Sequence, residues 1–435
     1  MVGPLASTSA TSADDVRALF SSETSVSLVE RRREDVLAVL RGFAVASDAN
    51  DEQTAHVTRP LPKDAAPALT LLEQTTRGNG LRDGELLLVA FTHLKILARD
   101  PATRAAFGDK GIAHIVKVLG VIDQGITTDG TGNETVTDTS STSTGGVTHS
   151  TNARTNVQIY SLAAEASNTV LNACHHSGNV DWFCTDTNGG VQMLLNWLDV
   201  TESTSKTLRR NAAGAMQSVC FEKTGRRETK RLDGVSKMLR VLFECMREND
   251  SKKSHDTTLT IARLTGAIHN ATTDLECVRD VRTSMGNENT YIPLFVNLLR
   301  CDDCDTAASA AGVVQNIARE KHARAQARSA DAVPALGELL ITGSTTGKAH
   351  AAGALVNLLG PELSGEDVGG ENLSKLNDEN QISGNQPPVV DTAKKPKPDG
   401  DANRRALGKL LSSALALSMA WEMIHETRLD RRALA

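Results

Sequence analysis

Ala351-Ala352-Gly353-Ala354-Leu355-Val356-Asn357 is the last copy of a phrase that recurs through the chain. It is echoed by Ala310-Ala311-Gly312-Val313-Val314-Gln315-Asn316 and, more loosely, by Leu264-Thr265-Gly266-Ala267-Ile268-His269-Asn270. Ala212-Ala213-Gly214-Ala215-Met216-Gln217-Ser218 and Ala166-Ser167-Asn168-Thr169-Val170-Leu171-Asn172 are degenerate copies. The phrases end at 172, 218, 270, 316 and 357, at intervals of 46, 52, 46 and 41 residues. A period of about 40–47 residues belongs to α-solenoids, where each unit buries its apolar face against its neighbours. Such repetition argues for an array and against a single enzyme pocket.

Each phrase closes a longer unit. In the last one, residues 331–341 place Val333, Leu336, Leu339 and Leu340 on one helical face, and Pro334 sits where a first turn tolerates proline. A loop, ITGSTTG, and an Ala-rich helix over 348–359 follow, and the charged stretch 319–329 precedes them as a short helix. The unit thus reads as three helices: short, amphipathic and buried. The same grammar pairs 285–300 with a helix ending near Ala318, 234–246 with 259–270, and 189–198 with 208–221. Residues 111–119 begin a further unit whose third helix is expected over 157–174, and 65–74 pairs with 85–99.

This reading divides the chain into an N-terminal tail and capping helix (1–60, the helix at 26–46), a solenoid (61–360), a flexible linker (361–404) and a C-terminal helix (405–435) expected to cap the open end. The stretch 121–154, rich in Thr, Ser, Gly, Asp and Asn, reads as a disordered insertion, because it has little to bury against the entropy of ordering. Removing it brings the interval between position 96 and Asn172 back to the repeat length. The linker has the same kind of composition.

Aromatic residues are only 3% of the chain, so its core must come from Ala, Leu, Val and Ile. A formal charge of -6 gives no global attraction for nucleic acid or an acidic membrane, and aromatics are too few for a single-strand stacking platform. No apolar run is long enough to span a bilayer, and the N-terminus lacks the pattern of a secretory signal. Seven scattered cysteines suit a reducing compartment. The expectation is a cytoplasmic protein, with a nuclear location also compatible.

The phrase, with helices such as Gly111-Ile112-Ala113-His114-Ile115-Val116 before it, resembles the armadillo repeat family over roughly residues 65–360. The resemblance implies an all-α fold, a right-handed α-solenoid of about six three-helix units whose third helices line a concave groove. It implies a non-catalytic scaffold or adaptor whose groove holds an extended or helical segment of another protein, with no cofactor and no metal. Asn172, Asn270, Asn316 and Asn357 match the asparagines that bind peptide main chain in that family, since an amide offers both donor and acceptor whatever the bound sequence. The alternative is that these side chains bond backbone within the array. Arg209 and Arg210, opening a third helix, are further groove candidates. Nuclear-import adaptors carry Trp four residues before the asparagine, whereas this chain has Asn168, Gly214, Gly266, Gly312 and Gly353 there, which disfavours that role. Armadillo-type regulators of small GTPases are the second functional reading.

Other chemistry is weaker. Gly343-Ser344-Thr345-Thr346-Gly347-Lys348 has three residues between its glycines where a phosphate loop needs four, and Ala349 replaces the Ser or Thr that would reach magnesium. Cys301-Asp302-Asp303-Cys304 has no second pair to complete a zinc site, and Cys174-His175-His176 reads as a helix end.

Overall fold

The computed structural model describes residues 12–21, 33–48, 59–75, 83–130, 149–185, 189–200, 205–251, 253–282 and 291–364. Their regular structure is helical throughout, giving an all-α solenoid fold class. They fall into two compact units, Met1–Ala271 and Thr272–Ala435. The C-terminal helix expected at 405–435 lies outside the described residues, as does the linker beyond Ser364.

The first unit opens with α1 (Ala13–Ser21) and α2 (Arg33–Asp48). After a 3-10 turn at Pro62–Asp64 come α3 (Ala65–Thr75) and α4 (Gly84–Leu97). From there the helices run in triplets: α5 (Pro101–Ala105), α6 (Gly108–Gly130) and α7 (His149–Ala173); α8 (Ser177–Phe183), α9 (Gly190–Leu198) and α10 (Lys206–Phe221); α11 (Lys223–Arg231), α12 (Gly234–Ser251) and α13 (His255–Ala271). The second unit holds α14 (Leu275–Arg282), α15 (Ile292–Leu298) and α16 (Cys304–Ile317), then α17 (Lys321–Ser329), α18 (Ala332–Thr342) and α19 (Thr345–Ser364).

The third helices form the spine. In the first unit α4, α7, α10 and α13 pack in series, and in the second α16 packs on α19. Their inner faces are made of small residues: Ala212, Ala213, Ala215, Ala310, Ala311, Ala351 and Ala354 are buried. Small side chains let helix axes approach, and second helices such as α9, through the fully buried Trp197, close the other side.

The corner between first and second helix is also repeated. Gly108, Gly189, Asp233 and Asp331 stand at four such corners, and each has a positive φ, between 53° and 65°. Gly reaches this region without steric cost, and Asp is one of the side chains that tolerate it. At Gly108, Asp233 and Asp331 the chain therefore passes from first to second helix across two residues.

Two sequence expectations are corrected. The insertion expected at 121–154 is helical at both ends, since α6 runs on to Gly130 and α7 starts at His149. Ile122 and Ile126 continue the buried stripe of Ile115, Val118 and Leu119, and Asp123 accepts a 2.8 Å hydrogen bond from Trp197 Nε1. Residues 131–148 lie outside the described residues. The loop expected before the last third helix shrinks to Gly343 and Ser344, because Ser344 Oγ accepts from Gly347 N at 3.2 Å and starts α19 early. Asp303 starts α16 in the same way, accepting from Thr306 N at 2.8 Å, so the CxxC stretch is the entry to a helix.

At the N-terminal end α2 packs on α4, and the Arg33 guanidinium bonds Asp83, the N-cap of α4, and Glu85. On α4 His93 is fully enclosed, its ring edge-on to Phe43 with centroids 5.2 Å apart, and among the described residues neither ring nitrogen has a hydrogen-bond partner. Burial lowers its pKa to about 4 from 6.5, only weakly opposed by Asp64. The unfolded chain therefore binds this proton more tightly than the folded one. Stability from this group is full above pH 6.5 and is lost as the pH falls toward 4, by on the order of 3 kcal/mol. Urea unfolding of wild type and His93→Leu across that range should show their stability difference changing by this amount. A difference independent of pH would contradict burial of a neutral imidazole.

Candidate partner-binding groove

Along the third helices three positions recur at a fixed register: the phrase asparagine, the residue before it, and the residue three before the glycine. The residue before the asparagine reaches across to the next third helix. A Cβ built on Gly214 would stand 2.4 Å from Leu171 Cδ1, one on Gly266 2.3 Å from Gln217 Nε2, and one on Gly353 2.4 Å from Gln315 Nε2. In all three places the glycine makes room for a side chain of the preceding repeat.

The asparagines use the same register. Asn270 Nδ2 donates to the Gln217 carbonyl at 2.9 Å, and Asn357 Nδ2 donates to the Gln315 carbonyl at 2.8 Å. The Gln315 carbonyl lies in the last turn of α16, where intrahelical donors run out, while that of Gln217 lies one turn before the end of α10. Asn316 Nδ2 donates instead to Thr272 Oγ1 at 3.2 Å, and Asn172 Nδ2 to Asn168 O of its own helix at 3.1 Å. Among the described residues, the side-chain oxygens of Asn172, Asn270 and Asn357 accept no hydrogen bond, so each amide is fixed by its nitrogen and keeps an acceptor.

The third position is polar in every phrase: Glu165, Asn211, Arg263, Ser309 and His350. Lys95 pairs with Glu165 at 2.6 Å, and Gln315 Oε1 lies 2.9 Å from His350 Nδ1. Asn211 Nδ2 donates to Ala164 O at 2.9 Å. Sequence reading passed over this position because single polar residues in Ala-rich helices have no motif; their common offset from the glycine was the available signal.

The two arginine candidates part company. Arg210 is half-buried and paired with Asp256. Arg209 is only 7% exposed and turns into the interior, where it donates to Val200 O at 2.8 Å and approaches Cys245 of α12. Burial raises the pKa of the Cys245 thiol, and the nearby arginine opposes that rise.

Between the C-terminal parts of α7, α10 and α13 lies a cleft of about 420 Å³. Leu171, Gln217, Ser218, Arg263 and Asn270 line it, with Phe221, 70% exposed, as a wall. His175 stands at its edge, its pKa lowered by burial and then by Arg104. The cleft therefore combines an exposed aromatic face with fixed amides and a guanidinium.

No family model matches the chain, and no curated protein matches it in sequence. Solved structures do resemble it. An engineered protein is 19% identical, with 67% of this chain and 96% of that one covered, at a TM-score of 0.47. A designed armadillo repeat protein in complex with the peptide (KR)4 is 15% identical, covering 67% and 99%, at a TM-score of 0.45. Another designed armadillo repeat protein is 14% identical, covering 73% and 99%, at 0.40. The chain has an armadillo-like repeat fold, carried by its own triplets and their register.

The phrase asparagines are expected to differ in their effect on stability. Asn357→Ala removes a bond between helices and should lower stability by about 1 kcal/mol, whereas Asn172→Ala removes one within its own helix and should stay within about 0.5 kcal/mol. Urea midpoints of the two variants check this; equal losses would contradict the assigned partners.

Proposed function

We propose that this protein is a non-catalytic interaction scaffold that holds a segment of another protein along its third helices. The observation that carries the reading is the cleft of α7, α10 and α13, where a largely exposed Phe221 stands beside Asn270, whose amide is already fixed by the Gln217 carbonyl. Exposed aromatic surface beside oriented polar groups is the composition of a binding hot spot. An amide oxygen of this kind can accept from the main-chain N–H of any segment, which suits recognition of an extended chain. In the second unit Asn357 occupies the same register, with Asn316 at the corresponding place on the preceding third helix, and Asn357 is proposed to act alike. No helix among the described residues is long and apolar enough to cross a membrane, and the proposed partner is a soluble protein segment, not nucleic acid.

The test starts with a partner identified by affinity capture and then measured with purified components by calorimetry. Phe221→Ser with Asn270→Ala, and separately Asn316→Ala with Asn357→Ala, are compared with Lys223→Ala with Arg227→Ala on the exposed face of α11. At least one of the first two pairs should weaken binding tenfold or more, about 1.4 kcal/mol, with helicity by circular dichroism unchanged. Binding lost only in the α11 variant would place the interface elsewhere and overturn the reading.

A further inference from the structure

The charges around the first-unit cleft do not balance. Arg210 and Arg263 lie side by side: Arg263 Nη1 donates to Arg210 O at 3.0 Å and to Asn211 Oδ1 at 3.1 Å. One carboxylate, Asp256, serves this pair, and it is taken by Arg210 and approached by Thr207 Oγ1 at 3.4 Å. Among the described residues Arg263 has no ion pair, and its Nε and Nη2 make no hydrogen bond. The same register position elsewhere is compensated, by Lys95 at Glu165, or uncharged, as at Asn211. Burial and then the neighbouring Arg210 lower the Arg263 pKa, although a guanidinium remains charged at any physiological pH. A half-buried cation held by neutral acceptors is a site built for an anion, and its two remaining donors match the geometry of a carboxylate.

We propose that Arg263 anchors an acidic side chain, Asp or Glu, of the bound protein segment, with an apolar residue of that segment lying against Phe221. The inference rests on the groove reading and adds a charge preference to it. Arg210 reinforces the field and is held in place by Asp256. His175, which burial keeps inclined to the neutral form, adds no fixed charge of its own. The occupant is thus an acidic, apolar-containing segment, recognised by one guanidinium and one aromatic wall.

The experiment uses the full chain and three fluorescein-labelled peptides of equal length, in which Leu alternates with Glu, with Ser or with Lys, followed by fluorescence anisotropy. The Glu peptide should bind about tenfold more tightly than the Ser peptide, and the Lys peptide more weakly than either. Raising the salt concentration should erode the Glu advantage and leave the Ser peptide little changed. In Arg263→Gln the Glu and Ser peptides should come within about threefold of each other, while Arg263→Lys retains part of the preference; the salt series on wild type covers the case in which the Gln variant fails to fold. Equal binding of Glu and Ser peptides by wild type, or a preference that persists in folded Arg263→Gln, overturns the inference and leaves the groove reading standing. No binding of any peptide overturns both.

Discussion

The close approach of one third helix to the next is the constraint on which the rest of this structure depends. It is set by the phrase glycine, at Gly214, Gly266 and Gly353. Glycine costs a helix about 1 kcal/mol relative to alanine, and here that cost is offset by what the missing side chain admits. Leu171, Gln217 and Gln315 each lie across the glycine of the following repeat. In two of these three cases the carbonyl of the same residue also accepts the asparagine Nδ2 of that repeat, so one residue is gripped through both side chain and main chain. The buried alanines of the spine follow from this, because larger residues would hold the helices apart.

The same register decides what remains on the surface. Once glycine, alanine and the asparagine nitrogen are committed between helices, the positions left over are the asparagine oxygen and, except at the buried Asn211, the polar residue three before the glycine. That residue is varied, as glutamate, asparagine, arginine, serine or histidine, while the scaffold beneath it is repeated. Variation on a repeated frame is how a solenoid tunes recognition without disturbing its packing. The cleft beside Arg263 and Phe221 is where this variation leaves both an exposed ring and a charge that Asp256 only partly compensates.

Much of this was legible in the sequence. The phrase places third helices at 208–221, at 259–270 and ending near Ala318, against observed bounds of 206–221, 255–271 and 304–317, because Ala-rich helices with a fixed Gly and Asn have few alternative readings. The end of α6 was missed: its Thr, Asp and Gly content hides Ile122 and Ile126, whose period is only apparent once the helix is allowed to continue. Arg209 and Arg210 are adjacent and alike in sequence, yet successive residues of a helix face about 100° apart, so one enters the interior and the other does not. The asparagines were framed as either structural or peptide-binding; among the described residues, hydrogen bonding through the nitrogen alone at Asn172, Asn270 and Asn357 leaves both roles compatible. The partner of the N-terminal His93 could not be foreseen, since its enclosure depends on Phe43, fifty residues earlier in the chain.

The clasp between repeats is tested most directly by a double-mutant cycle on Gly353→Leu and Gln315→Ala, measured by urea unfolding. Leucine at 353 meets the Gln315 side chain, so shortening that side chain should recover at least about 1 kcal/mol of the loss caused by Gly353→Leu. Additivity of the two substitutions within about 0.5 kcal/mol would contradict the proposed register of third helix on third helix.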